Sequence, residues 1–183
     1  MSPTTLCLDA SDGRFDTIQR FPLGGDMEEN IEIVLLNERP WYVPRLAQIW
    51  IEVFGQKWPE TPIQEVITWY SALLNQIFPF ACVAVSQGRP IGMCSLEIND
   101  GIPSDCTPWV ADLCIVQAYQ GQGIGKLLLR AVQDRAKSIG FKKLYLFIVE
   151  DRLMDYYTME GWEAIGTDLY KGHEVTILSR TLL

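Results

Sequence analysis

The chain has 183 residues, of which 48% are hydrophobic and 21% charged, a composition that suits one globular domain with a well-buried core and contains no run approaching a membrane span. Its formal net charge of −8 argues against a nucleic-acid-binding surface, which gathers Lys and Arg into a patch, and is more compatible with a cationic partner. His173 is the only histidine, and the five cysteines at 7, 82, 94, 106 and 114 form no Cys-x-x-Cys pair, so zinc sites of the usual kinds and a Ser-His-Asp triad lack raw material and no metal is expected.

Residues 1–30 carry scattered acids, Ser, Thr and Gly without periodicity or an apolar core of signal-peptide length. They are expected to be an irregular N-terminal extension, with Met27 an alternative start, ahead of a domain over 31–183 in a cytoplasmic protein with reduced thiols. Residues 31–36 read as a first strand, and 43–54 as a helix with Leu46, Ile49, Trp50 and Phe54 on one face. Pro59, Pro62 and Pro79 bracket a second helical run over 63–77. Strands over 81–85 and 91–98 are joined by the turn Gln87-Gly88-Arg89-Pro90 and predict a hairpin. A loop over 99–108 precedes a strand over 110–116, and Ile124, Leu127, Leu128, Ala131, Val132 and Ile139 then repeat at helical spacing up to a C-cap at Gly140. A strand over 144–149 completes a right-handed crossover with parallel strands, followed by a short helix over 151–159 and a last strand over 175–179.

Between the strand ending at 116 and the helix beginning near 124 lies Tyr119-Gln120-Gly121-Gln122-Gly123-Ile124-Gly125-Lys126. Alternating glycines at a strand-to-helix turn leave backbone N–H groups pointing outward at a helix N-terminus, where an anion is favoured by about 0.3–2 kcal/mol. A Walker loop is excluded, because Gln120 stands where its first Gly is needed and Leu127 where its Ser or Thr is needed. The dinucleotide fingerprint fails as well, since the run reads Gly-x-Gly-x-Gly and no acidic residue ends a clear second strand about 20 residues on.

Gln120-x-x-Gly123-x-Gly125 is similar to the Gln/Arg-x-x-Gly-x-Gly/Ala signature of the GNAT superfamily of acyl-CoA-dependent N-acyltransferases. Leu113-Cys114-Ile115-Val116 resembles that family's fourth strand, and Tyr157-Thr158-Met159-Glu160-Gly161-Trp162 its Tyr-x-x-x-Gly-aromatic motif. The resemblance implies an α/β fold with one mixed, largely antiparallel sheet of six to seven strands, a parallel unit made by the fourth and fifth strands with a helix between, and helices on both faces. It implies acetyl-CoA as acyl donor, in a cleft where those two strands splay, with backbone at Cys114, Ile115 and Val116 along the pantetheine arm. The pyrophosphate would rest on Gln120, Gly121, Gln122, Gly123, Ile124, Gly125 and Lys126. The partners implied are acetyl-CoA and an amine acceptor, with a homodimer compatible and neither nucleic acid nor membrane involved.

Amine attack on a thioester expels a thiolate, and Tyr157, a phenol of pKa near 10 facing a thiol of about 8.5, suits the role of proton donor. A lysine-like amine at pH 7 is neutral in only about one molecule in 2,500, so a base is needed; Asp112, a lone carboxylate among Val110, Ala111 and Leu113, is the first candidate and Glu97 its rival. Two departures from the family pattern are plain. Val149-Glu150-Asp151-Arg152 replaces an Asn that many members carry after the fifth strand, and Phe147 replaces an acidic residue within it. Trp41, Tyr42, Trp50, Trp58, Trp69 and Tyr70 cluster in the early helical region and, with the negative charge, point to a small cationic acceptor. Acetylation of a peptide amine and a non-catalytic CoA-binding sensor are the alternatives.

Overall fold

In the computed structural model, which describes residues 19–22, 30–75, 77–102 and 104–182, eight strands form one sheet. They are β1 (Gln19–Pro22), β2 (Asn30–Leu35), β3 (Phe80–Ser86), β4 (Arg89–Glu97), β5 (Trp109–Ile115), β6 (Lys143–Ile148), β7 (Glu163–Tyr170) and β8 (His173–Thr181). Their order across the sheet is β1-β2-β3-β4-β5-β6-β8-β7. Only β5 and β6 run parallel; the other neighbouring pairs are antiparallel. Helix α3 (Ile124–Ser138) supplies the crossover between the parallel pair, as the sequence predicts.

The central strands read as continuous apolar runs because both of their faces are covered. On one face Cys82, Ala84 and Leu96 pack with Leu128, Val132 and Ala136 of α3. On the other, Ala81, Val83 and Met93 pack with Leu46 and Ile49 of α1 (Val43–Phe54) and with Val66 of α2 (Ile63–Ser71). Each fully buried aliphatic side chain here is worth about 1.5–3 kcal/mol relative to exposure. Cys82, Cys94 and Cys114 are buried free thiols within this core, and burial pushes all three thiol pKa values up. Cys7 and Met27 lie outside the described residues.

Several elements differ from the sequence reading. Helix α2 ends at Ser71, short of residue 77, because Leu74 turns back to bridge Phe80 at the start of β3. The final strand is longer than 175–179, beginning at His173 and ending at Thr181. Two outer strands extend the expected sheet to eight. Residues 19–22, within the stretch read as irregular, pair with β2, and β7 pairs with β8 at the opposite edge. Strand β7 is mostly exposed and its register shifts between Ala164 and Gly166, so it lacks the clean alternation of a half-buried strand. No helix among the described residues is long and apolar enough to cross a membrane.

Candidate active site

The parallel strands β5 and β6 are paired only at Trp109 and Tyr145, where Tyr145 N–H donates to the Pro108 carbonyl at 3.1 Å. Beyond that point they part, and a cavity of about 330 Å³ opens between residues 110–113 of β5 and residues 146–150, the end of β6 and the two residues after it. Trp50 and Trp58 close it from the α1 side, Tyr157 from α4 (Met154–Met159), and Tyr170 from the end of β7.

Strand β5 bulges as it enters this cleft: its register against β4 shifts between Met93 and Ser95, and Asp112 sits there with φ +53°. Gln87 and Lys171, the other non-glycine residues of positive φ among those described, both precede a glycine in hairpin turns. Asp112 alone adopts this conformation inside a strand, and the bulge aims its carboxylate into the cleft wall. Trp50 Nε1–H donates to Asp112 Oδ1 at 2.9 Å, and Ser95 Oγ–H donates to Glu97 Oε1 at 2.8 Å. Asp112 and Glu97 are themselves hydrogen-bonded.

Burial, and then the Glu97 charge, push the Asp112 carboxyl up to about 8, against the Trp50 bond, which favours the ionised form. Glu97 is also raised, by burial, but its bond to Asp112 lowers it while the same bond raises Asp112. Both carboxyls are therefore raised, and the pair holds a proton between them above the ordinary carboxylate range. Asp100, in the loop after β4, is a third carboxyl on this wall, raised by burial and by the charges of Asp112 and Glu97. No three His, Cys, Asp or Glu side chains among the described residues are arranged to hold a metal ion.

Tyr157 faces the cleft while its ring packs edge-on to Trp162 at 6.2 Å. Burial drives its phenol well above the ordinary value, so the hydroxyl stays protonated through the physiological range. Tyr156, read from the sequence as a packing residue, points away from the cleft lining; its buried hydroxyl lies close to where a Cβ on Gly125 would stand, 3.3 Å away.

The glycine turn lies beyond the end of β5, leading into α3. Gly121 and Gly123 have φ +76° and +83°, and a Cβ on either would meet nothing within 4 Å. The glycines thus supply a conformation that L side chains resist by about 1–2 kcal/mol, and leave open space in front of the N–H groups of the first turn of α3. An anionic diphosphate fits such a cradle. Other predicted binding groups are already engaged. Gln120 donates its N–H to the Gln117 carbonyl at 3.1 Å and its Nε2 to the Ile115 carbonyl at 2.9 Å, and Lys126 Nζ pairs with Glu160 at 2.8 Å. Val116 N–H bonds Ile91 O at 2.8 Å, so strand alternation turns the backbone of Ile115, rather than that of Cys114 or Val116, away from β4, where its carbonyl meets Gln120 and its N–H is left to face the β6 side. Gln122 and Ile124 complete the turn, Gln122 Nε2 reaching Ala118 O at 3.1 Å.

Asp112 and Tyr157 therefore line one cleft, Glu97 is joined to it through its hydrogen bond to Asp112, and the glycine turn follows the end of the strand that carries Asp112. Glu150, which stands where many family members have Asn, is bound by Lys57 at 2.7 Å and by Arg152. Of the aromatic residues singled out, Trp50 and Trp58 line the cleft, Trp69 packs edge-on to Trp50, Tyr70 is fully buried, and Trp41 is exposed. Sequence reasoning missed Asp100 and Tyr170. Asp100 lies in a segment read only as a loop, and Tyr170 closes the unforeseen strand β7; an acidic residue two positions after a predicted strand was the available signal for the first.

A family model described as the acetyltransferase (GNAT) family matches residues 43–159. Solved structures share the fold at low identity. The aminoglycoside 6'-acetyltransferase type Ii superposes with a TM-score of 0.66 at 16% identity, over 82% of this chain and 97% of that one. An acetyltransferase from Streptococcus agalactiae 2603 gives 0.66 at 16%, over 83% and 98%. An aminoglycoside 6'-N-acetyltransferase complexed with coenzyme A gives 0.66 at 14%, over 82% and 97%. No curated protein matches the sequence.

Proposed function

The chain belongs to the acetyltransferase (GNAT) family, with acetyl-CoA as acyl donor, and on that premise we propose that it acetylates the primary amine of a small cationic molecule by direct attack in a ternary complex. The observation that carries this reading is the convergence of Asp112, itself hydrogen-bonded to Glu97, with Asp100 and Tyr157 on one aromatic-walled cleft. The acyl donor supplies an activated thioester. Gly121 to Gly125 would hold its diphosphate, and the Ile115 backbone would align the arm that carries the thioester.

The acceptor enters as an ammonium, and deprotonating a lysine-like amine at pH 7 costs about 4.6 kcal/mol. The negative charge of the Asp112–Glu97 pair favours the cation. Once the Asp112–Glu97 pair has lost its shared proton, Asp112 takes the proton of the amine, which then attacks the thioester carbonyl. As the C–S bond breaks, the Tyr157 hydroxyl donates its proton to the departing sulfur, and the phenolate left behind takes the second proton that the attacking nitrogen sheds on becoming an amide. Each proton thus has a donor and an acceptor within the cleft.

The test is CoA release from acetyl-CoA across a panel of amines that are cationic, neutral or anionic beyond the reacting nitrogen. Turnover concentrated on cationic acceptors is expected. Preference for anionic acceptors would overturn the substrate class, and binding of acetyl-CoA without turnover on any amine would overturn the enzymatic reading.

A further inference from the structure

At the turn between β7 and β8, the Lys171 ammonium lies over three rings: 5.5 Å from the Trp58 centroid, 5.9 Å from Trp69 and 5.7 Å from Tyr170. All three distances fall within the range of attraction between a cation and an aromatic face. The rings come from separate elements, the loop after α1, helix α2 and the end of β7, and they brace one another: Trp58 meets Tyr170 edge-on at 5.2 Å. Trp58 is 7% exposed, so this is a formed cage and not a surface coincidence.

Two of its three rings, Trp58 and Tyr170, also line the cleft, and the third, Trp69, packs at 5.8 Å against Trp50, the residue bonded to Asp112. The cage and the proposed proton acceptor are thus the two ends of one aromatic wall. Lys171 itself is exposed and carries φ +47°, a conformation that favours Asn, Asp or Gly at this turn position. A side chain so placed contributes little to the core, and among the described residues its ammonium meets only the rings, in a seat that another cation could take.

We propose that Trp58, Trp69 and Tyr170 form an alkylammonium subsite of the acceptor pocket, which Lys171 fills in the free protein and yields to substrate. The substrate class that follows is a small amine with a second cationic group, diamines and polyamines among them, one nitrogen seated in the cage and the other presented to Asp112. This specificity rests on the acetyl-transfer reading; the cage as a cation site does not.

The two are tested separately. Binding of choline and of its neutral isostere 3,3-dimethylbutan-1-ol is followed by tryptophan fluorescence, in the wild-type chain and in the variants Lys171→Ala and Lys171→Gly, the second of which suits the turn. Emptying the cage should tighten choline by about five-fold, the equivalent of one exposed cation–π contact, and leave the alcohol unchanged. Equal changes for both probes, or no choline binding in any of the three proteins, would overturn the cage. With acetyl-CoA present, 1,5-diaminopentane should show a lower KM than 1-aminopentane, and Lys171→Gly should widen the gap. Choline binding together with equal KM values would keep the cage and reject the substrate class, whereas choline binding without turnover would reject only the acetyl-transfer reading.

Discussion

Trp50 Nε1–H donates to Asp112 Oδ1 across 2.9 Å, joining helix α1 to the bulge of β5. Within the cleft wall this bond opposes burial and the Glu97 charge, which both disfavour the ionised carboxylate. Reactivity at Asp112 is therefore a balance between two donors, Trp50 and Ser95, and one neighbouring anion, and the indole and the anion can each be removed alone.

Trp50→Phe and Glu97→Gln should move the pH–rate profile in opposite directions. The rate rises with pH as Asp112 loses the shared proton near 8. Without the indole donor its ionised form is less stable, and the rise should shift to higher pH by about one unit, the scale of a hydrogen bond to a charged group. Without the Glu97 charge the rise should shift to lower pH. Profiles of kcat/KM on one acceptor, measured side by side, cancel the titration of the amine itself; shifts in the same direction would rule out this account.

Asp112→Asn should lower kcat/KM by about 10²–10⁴ while raising stability at alkaline pH. The folded carboxyl titrates at about 8 and the unfolded one near 3.9, so between these values the unfolded state ionises first. Stability contributed at low pH is lost as pH rises through this window. Asparagine cannot ionise, so the difference in Tm between variant and wild type should grow in favour of the variant from pH 4 to 8 and then level off. A constant difference across that range would mean that Asp112 is not raised.

Gly123→Ala and Gly123→Asn separate a glycine needed for its turn from one needed for close approach of a ligand. Both add a Cβ into open space at φ +83°. Alanine should cost about 1–2 kcal/mol of stability and asparagine, which tolerates this conformation, less. If the turn cradles the diphosphate, the KM for acetyl-CoA should rise for both variants whatever their Tm. Recovery of the wild-type KM in Gly123→Asn would reduce the glycine to a turn residue.

The sheet, its parallel crossover and the glycine turn were legible because each is a local pattern: buried strands are continuous apolar runs, α3 has helical spacing, and the turn demands residues without Cβ. Asp112 was legible as a lone carboxylate in an apolar strand. Its partners were not, since Trp50 is 62 residues away in sequence and meets it only when α1 packs on the sheet. Strand β7 escaped for the opposite reason: lying at an edge, with Ile165 and Leu169 exposed, it has no buried face to impose a period. The aromatic cage was invisible with it, because Tyr170 and Lys171 are placed by that hairpin. Charge and aromatic content pointed toward a cation; only the assembled cleft gives that cation a seat.

Tyr157→Phe should reduce kcat by at least about ten-fold, leave the KM for acetyl-CoA near its wild-type value, and do so equally at every pH between 6 and 9. The phenol is raised by burial, so it remains a protonated donor across this interval and adds no limb to the profile. The ring, packed on Trp162 and Tyr156, keeps its place without the hydroxyl, so Tm should change little. A purely structural tyrosine would show the reverse, a lower Tm with kcat preserved. A loss of kcat that grew steadily with pH would point to the phenolate as the working form, and the proton for the departing sulfur would then have to come from elsewhere in the cleft.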